Sequence, residues 1–524
     1  MNVEDAQAMT TVEHSPAPAE AAPLPAAVDV AIVGGGFSGL AMAVRLLQEG
    51  NRDFVVLERG GDVGGTWRDN SYPGCACDVP SHLYSFSFAP NPEWSSTFSP
   101  QPEIQAYLRG VAEEQGVLPH VHLNCEMRDA AWDERTQRWR IETTQGPLSA
   151  RVLVTAAGPL SEPSIPRLPG LDRFRGTTFH SATWDHEHDL AGERVAVIGT
   201  GASAIQFVPR IQPRVGALHV FQRTPPWIMP RPARPITGAE RAVYRRLPAA
   251  QRLMRNAIYW GRELYALPLV RARLAPVVEA VARMHLRRQV PDPRLRARLT
   301  PDYAPGCKRI LISDDYLPAL SRDNVEVVTD GIAEVREHSI VTRDGRERAV
   351  DTIIFGTGFH VTDVPIAGRV RGGDGRSLAE VWAGGMAAHR GTTVAGFPNL
   401  FLLLGPNTGL GHTSVVLMAE AQAGYVVEAL RHMRAWSVGA IAVRPAAQAA
   451  FNDRVQRAMA GTVWTAGGCA SWYLDGNGRN TTLWPDFSFR FRRLVRHFDA
   501  ESYETLPAPP VIEAVPAAAV EVAA

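Results

Sequence analysis

After an Ala-, Pro- and Glu-rich opening stretch comes a β-branched run, Val28–Val33 (VDVAIV). Its unbroken apolar character is that of a strand buried on both faces of a parallel sheet. Gly34-Gly35-Gly36-Phe37-Ser38-Gly39 follows, then Leu40–Gln48 with helical spacing and a second predicted strand, Phe54–Leu57, ending at Glu58. The same order recurs later: strand Arg194–Ile198, then Gly199-Thr200-Gly201-Ala202-Ser203-Ala204, helix Ile205–Ile211, and strand Leu218–Gln222 ending at Arg223. Further buried strands are predicted over Arg151–Thr155, Val350–Phe355 and Leu400–Leu404. A long helix should run from Val415 to about Met433, capped by Thr413 or Ser414.

This pattern predicts an α/β protein with two Rossmann-like dinucleotide-binding domains and a helical insertion in the second. The first domain takes residues 28–158 and 361–505, and the second takes 159–233 and 303–360. The insertion, 234–302, shifts to Arg, Ala, Leu and Tyr at helical spacing. Its arginines fit a solvated helix face better than a nucleic-acid or membrane surface. Tyr259-Trp260 and Tyr265-Ala266-Leu267 are expected to wall an apolar substrate pocket. Residues 1–27 and 506–524 read as a disordered leader and tail.

Each glycine fingerprint has a physical reading. Gly34 and Gly199 permit a tight turn, and Gly36 and Gly201 let backbone approach a pyrophosphate. Gly39 lets helix and strand pack closely, with the phosphates on the helix N-terminus. Glu58 lies 24 residues after Gly34, and Arg223 lies 24 residues after Gly199. One position therefore carries an acid in the first copy and a guanidinium in the second. An acid accepts ribose hydroxyls and repels a 2′-phosphate, which an arginine binds. The first site should take FAD and the second NADP.

Composition changes little in this picture. The 524 residues carry a net charge of +0, which argues for neither nucleic acid nor an acidic membrane. No apolar run is long enough to span a bilayer, and the acidic N-terminal stretch lacks the charge of a secretory signal, so a cytoplasmic protein is expected. The five cysteines, Cys75, Cys77, Cys125, Cys307 and Cys469, form an odd, sparse set that favours a reducing compartment over a disulfide framework. Lys308 is the only lysine among 54 basic side chains. His180, His186, His188, Asp185 and Asp189 match no common zinc spacing, so no metal is expected. Disulfide reductase chemistry is disfavoured, because no paired redox cysteines follow the first helix.

Between the fingerprints stands Phe174-x-Gly176-x-x-x-His180-x-x-x-Trp184-Asp185. This stretch resembles the signature of type I Baeyer–Villiger monooxygenases, within the class B flavin-dependent monooxygenases; related enzymes that oxidise nitrogen and sulfur usually end it in Tyr or Phe. Gly64-Gly65-Thr66-Trp67, Tyr72-Pro73-Gly74, Phe221-Gln222-Arg223-Thr224-Pro225 and Gly405-Pro406-Asn407 support the likeness, which runs from about Asp29 to Phe498. Ala156-Ala157-Gly158 and Gly356-Thr357-Gly358 depart from the family's Ala-Thr-Gly by small-residue swaps.

The resemblance implies that NADPH reduces FAD and that dioxygen then forms a C4a-peroxyflavin, which attacks a ketone to give an ester or lactone. Arg309 would be the fixed cation for these anionic species, with Asp78 holding and tuning it; both are the expected catalytic residues, and a structural salt bridge is the plainer reading. Lys308 would join Arg223 and Thr224 on the 2′-phosphate. Thr66, Trp67, Asp78 and Ser203 belong with the cofactor-binding residues. Trp472 resembles a mobile-loop tryptophan that closes over NADP, although a core tryptophan is an alternative. His180 and Trp184 would couple the cofactor sites from the linker. Oxygenation of sulfur or nitrogen by the same peroxyflavin, and a non-catalytic NADP-sensing flavoprotein, are the rival readings. The expected partners are a small ketone and O2; the resemblance names neither the ketone nor the oligomeric state.

Overall fold

A computed structural model describes residues 23–508. The first apolar run forms the strand Ala27–Val33, central in an eight-stranded sheet. It pairs in parallel with Phe54–Leu57 on one side and Gly146–Thr155 on the other. Burial on both faces explains why its apolar residues run without alternation. Leu400–Leu402 returns late in the chain to pair in parallel with Gly146–Thr155. An antiparallel extension, Met127–Asp133 and Arg138–Thr143, widens this sheet. The second sheet is wholly parallel, in the order Val325–Val328, Ala217–Phe221, Arg194–Ile198, Thr352–Phe355, Thr177–His180.

Predicted and observed elements agree closely at the two strand–glycine–helix units. The helices are Phe37–Gln48 and Ala204–Ile211. The long helix runs Val416–Ala435, two residues beyond the expected end. The N-cap position is Val415, and the two residues expected to cap the helix divide. Thr413 Oγ1 is buried without a partner, whereas Ser414 Oγ accepts from Val416 N at 3.3 Å.

The ordered chain also reaches further at both ends than expected. Ala26 O accepts from Ser149 N, Leu24 packs on the core of the first sheet, and Tyr503–Pro507 pairs with Val438–Val443. The rest of the expected leader and tail, 1–22 and 509–524, lies outside the described residues.

One cysteine expectation fails. Cys307 and Cys469 form a disulfide across 162 residues of sequence, while Cys75, Cys77 and Cys125 are free and buried. The pairing has no local sequence signal, because two distant loops meet only in the fold. Gly467 permits the meeting: a Cβ there would stand 2.6 Å from Cys307 Cβ. The argument from cysteines to a reducing compartment falls with it.

The signature linker is structural in place. Phe174 packs on the core of the second sheet. A Cβ on Gly176 would lie 2.0 Å from the Asp351 carbonyl oxygen. His180 ends the edge strand, in register with Phe355. The Trp184 ring meets Phe179 at 5.1 Å and Phe207 at 5.2 Å. Asp185 accepts from the backbone N–H groups of Glu187 and His188, which turns the chain. Gly176→Ala should therefore cost about 1–3 kcal/mol through overpacking against backbone. The urea unfolding midpoint would register this, and an unchanged midpoint would refute the steric reading of that glycine.

Candidate functional site

Both fingerprints open into one cavity of about 1330 Å3. Gly34, Gly36, Glu58, Thr66 and Trp67 line it from the first unit. Gly199, Gly201, Ser203, Arg223, Thr224, Lys308, Arg309 and Trp472 line it from the second unit and the C-terminal loops, and Asp78 stands between.

The first fingerprint is built for close approach of backbone. Gly34 has φ +107°, and a Cβ there would sit 2.6 Å from Ala156 O. A Cβ on Gly39 would fall 1.8 Å from Gly34 O, so helix and strand could not pack this closely with any side chain. Gly64 N donates to Gly35 O, and Gly65 packs against Gly36, leaving a floor of bare backbone. Glu58 is buried at the strand end. Its Oε2 accepts from Gly35 N at 2.7 Å, and its Oε1 pairs with Arg68 at 2.7 Å. Trp67 Nε1 donates to Tyr84 OH at 3.0 Å.

The second fingerprint repeats the geometry, with Gly199 at φ +110° and a Cβ there 2.3 Å from Gly356 O. Exposed Arg223 and half-buried Lys308 face one another, and Lys308 stands 5.2 Å over the Tyr303 ring. Burial and the positive charge of Arg223 pull the Lys308 ammonium below its ordinary pKa. Two cations held together at a cavity wall suit an anion, as a 2′-phosphate requires. The floor of backbone near Glu58 and this pair of cations thus fit FAD and NADP respectively.

Arg309 and Asp78, 231 residues apart, form a two-point ion pair. Arg309 Nε donates to Asp78 Oδ2 at 2.9 Å, and Nη2 donates to Oδ1 at 2.8 Å and Oδ2 at 2.6 Å. Nη1 stays outside the pair. Burial alone would raise the Asp78 carboxyl, but the Arg309 charge outweighs it and holds the carboxyl below its usual range. The carboxylate in turn holds Arg309 firmly protonated.

The sequence reading missed several supporting residues. Gln206, on the helix after the second fingerprint, clamps the backbone of Ala76: its Oε1 accepts from Ala76 N at 3.2 Å and its Nε2 donates to Ala76 O at 2.9 Å. A Cβ on Gly74 would lie 2.8 Å from Gln206 O, so the Tyr72-Pro73-Gly74 stretch serves this contact. The second unit therefore fixes the segment that carries Asp78. Tyr473 lines the cavity near Arg309, and burial pushes its phenol up to about 12, so it is neutral. Arg68 on Glu58 was likewise unread. None of these contacts leaves a spacing that a sequence can show, although Tyr473 adjoins Trp472.

Trp472 is 44% exposed at the cavity edge, not a core residue. His180 does not line the cavity; burial lowers its pKa to about 4, and its Nδ1 accepts from Ala182 N, so it is a neutral imidazole. Phe174, Gly176, Trp184 and Asp185 also lie off the cavity. No residue from 234–302 lines the cavity, contrary to the expectation for Tyr259-Trp260 and Tyr265-Ala266-Leu267, although Arg262 and Tyr265 stand near enough to interact with Arg309. Tyr259 instead turns to Ser488 and Trp260 to Phe489. His186 bonds Ser71 and His188 bonds Glu193 and Thr352, so the histidines of the linker diverge. Among the described residues no helix is long and apolar enough to cross a membrane.

Residues 31–231 match a family model described as pyridine nucleotide-disulphide oxidoreductase. The three cysteines inside that stretch are all free. A Baeyer–Villiger monooxygenase of Streptomyces coelicolor is 56% identical over 485 residues, covering 92% of this chain and 93% of the relative. An oxidized steroid monooxygenase bound to NADP superposes with a TM-score of 0.80 at 31% identity, over 92% of this chain and 100% of the other. OTEMO in complex with FAD and NADP gives 0.82 at 27% identity, over 91% and 99%. With its paired fingerprints, its Asp78–Arg309 pair and this degree of identity along nearly its whole length, the chain belongs to the Baeyer–Villiger monooxygenase family.

Proposed function

We propose that this chain is an NADPH- and O2-dependent flavoprotein monooxygenase that inserts one oxygen atom beside a ketone carbonyl, giving an ester or lactone. The observation that carries the reading is the single cavity in which an FAD-type fingerprint, an NADP-type fingerprint and the half-buried, carboxylate-paired Arg309 meet. Its FAD-binding unit would comprise 28–158 and 361–505, extended to Pro507, and its NADP-binding unit 159–233 and 303–360. Sheet membership of the strands supports that division. A cytoplasmic location is part of the proposal and rests on the use of NADPH.

When bound and reduced by NADPH, FAD supplies dioxygen in an activated, anionic form. The chain's own residues do the rest. Gly34, Gly36 and the N-terminus of Phe37–Gln48 would receive the FAD pyrophosphate, and Glu58 the ribose hydroxyls. Gly199 and Gly201 would do the same for NADP, with Arg223, Thr224 and Lys308 on the 2′-phosphate. Oxygen insertion beside a carbonyl develops negative charge in the cavity, where Arg309 provides a fixed cation. Asp78 keeps the guanidinium in plane through Nε and Nη2, which leaves Nη1 for the reacting oxygen. Trp472 and neutral Tyr473 would exclude water from that oxygen.

The test is product analysis under 18O2 with a ketone and, separately, a thioether. Labelled ester from the ketone is expected; NADPH consumption that yields only hydrogen peroxide with every ketone overturns the reading. Arg223→Ala should raise the KM for NADPH about 10- to 100-fold, as the loss of charge-assisted bonds worth ~1.5–3 kcal/mol implies, and leave that for NADH nearly unchanged. In the unmodified enzyme, kcat/KM for NADPH should fall as pH rises through the lowered Lys308 pKa, because the ammonium is lost there. A flat profile matching that of NADH would remove Lys308 from the phosphate site. Arg309→Ala should leave flavin bleaching by NADPH largely intact and cut ester formation by about 10²–10³-fold. An unchanged ester yield would show the Asp78–Arg309 pair to be purely structural.

A further inference from the structure

The helical insertion lines none of the catalytic cavity, although the Arg262 charge helps hold the Asp78 carboxyl down, and its outer surface is unusual. Of the fifteen large apolar side chains exposed among the described residues, nine lie between Val243 and Met284. They are ordered most clearly on the helix Pro248–Tyr265. Leu253 is 71% exposed, Trp260 56% and Leu264 67%, at i, i+7 and i+11, with exposed Ala257 between them. That spacing is one ridge along the helix. The opposite face is the packed one, through Gln251, Tyr259 and Glu263. The outward face thus carries large apolar side chains beside exposed Arg252 and Asn256, while Tyr259 and Ile258 pack inward with the buried Gln251 and Glu263. Phe489, also exposed, lies 5.9 Å from Trp260 between ring centres and extends the ridge. A second helix of the insertion, Ala275–Gln289, likewise exposes Val277 and Met284.

The insertion that carries these apolar residues is also rich in positive charge. Residues 234–302 carry fifteen arginines against five carboxylates, a surplus of ten in a chain whose net charge is +0. The carboxylates are largely engaged. Glu263 is buried against Ser488 and His412, Glu240 pairs with Arg234, Glu279 pairs with Arg283, and Asp292 caps a helix. Arg246, Arg252, Arg271, Arg273, Arg287 and Arg288 are exposed and make no ion pair among the described residues.

We propose that the ridge Leu253–Trp260–Leu264, with Phe489, docks this protein onto the surface of an anionic phospholipid bilayer, the apolar side chains entering the headgroup–acyl boundary and the unpaired arginines meeting lipid phosphates. The pairing of an apolar ridge, an interfacial tryptophan and a surplus of positive charge is what such a surface binds. A second copy of the chain fits less well. A two-fold interface would set the same arginine-rich patch against itself. A nucleic acid would meet the arginines but leave the leucine ridge in water.

The experiment is co-sedimentation of the full holoenzyme with unilamellar vesicles of phosphatidylcholine, with and without phosphatidylglycerol, alongside light scattering of the protein alone. Binding to the phosphatidylglycerol vesicles is expected, weakened at high salt and at least about tenfold weaker with phosphatidylcholine alone. The variant Leu253→Ser/Trp260→Ser/Leu264→Ser should lose vesicle binding and keep ketone-dependent NADPH oxidation, since none of these residues lines the cavity. Retained vesicle binding by this variant would overturn the proposal. So would a failure of the unmodified enzyme to bind, or a dimer in solution that the same variant abolishes. Vesicle binding is read without turnover, so its failure is separable from any failure of the oxygenation reading.

Discussion

The ion pair between Arg309 and Asp78 sets the terms for the rest of the molecule. A guanidinium drawn partly out of bulk water beside a substrate cavity needs a carboxylate, and removing either partner leaves the other charge uncompensated there. The two residues come from loops on different sheets, so each loop must be held in place by something other than the pair itself. On one side Gln206 grips the backbone of Ala76, and the bare Cα of Gly74 allows the helix of the second fingerprint to come close enough to do so. On the other side Cys307, two residues before Arg309, is tied to Cys469. The second fingerprint thus has two tasks: its loop is shaped for a nucleotide, and its helix fixes the acid that governs the arginine.

Charge is distributed along the cavity by the same economy of position. The strand after each fingerprint ends at an equivalent place, and the side chain there decides which nucleotide fits. Glu58 is buried and held by backbone and by Arg68, so its charge is balanced within the protein. Arg223 and Lys308 have each other for company, and a bound anion would relieve a repulsion that Asp302 offsets only in part. The chain contains no other lysine, which makes the choice of a compact ammonium at this one point more telling than its position alone.

Much of this was legible in the sequence, for a definite reason. Strand, glycine turn and helix follow one another within about thirty residues, so their physics is local and leaves a periodic trace. The offset from Gly34 to Glu58 and from Gly199 to Arg223 is local in the same sense. Asp78 and Arg309 were reached only through a family likeness, since 231 residues of separation carry no spacing to read. Gln206, Arg68, Tyr473 and the Cys307–Cys469 bond were not reached at all, because each acquires its partner only when distant segments pack. The helical insertion misled in another way. Its aromatic residues suggested a pocket wall, but helical spacing shows that a face is apolar without showing what it faces.

The disulfide has a mechanical consequence. Cys469 stands three residues before Trp472, and its partner lies beside Lys308 and Arg309 on the cavity wall. The loop bearing the tryptophan is therefore hinged at a fixed post on that same wall. Whatever the loop does, the indole stays tethered through three residues of chain to the stretch of wall that carries the arginine.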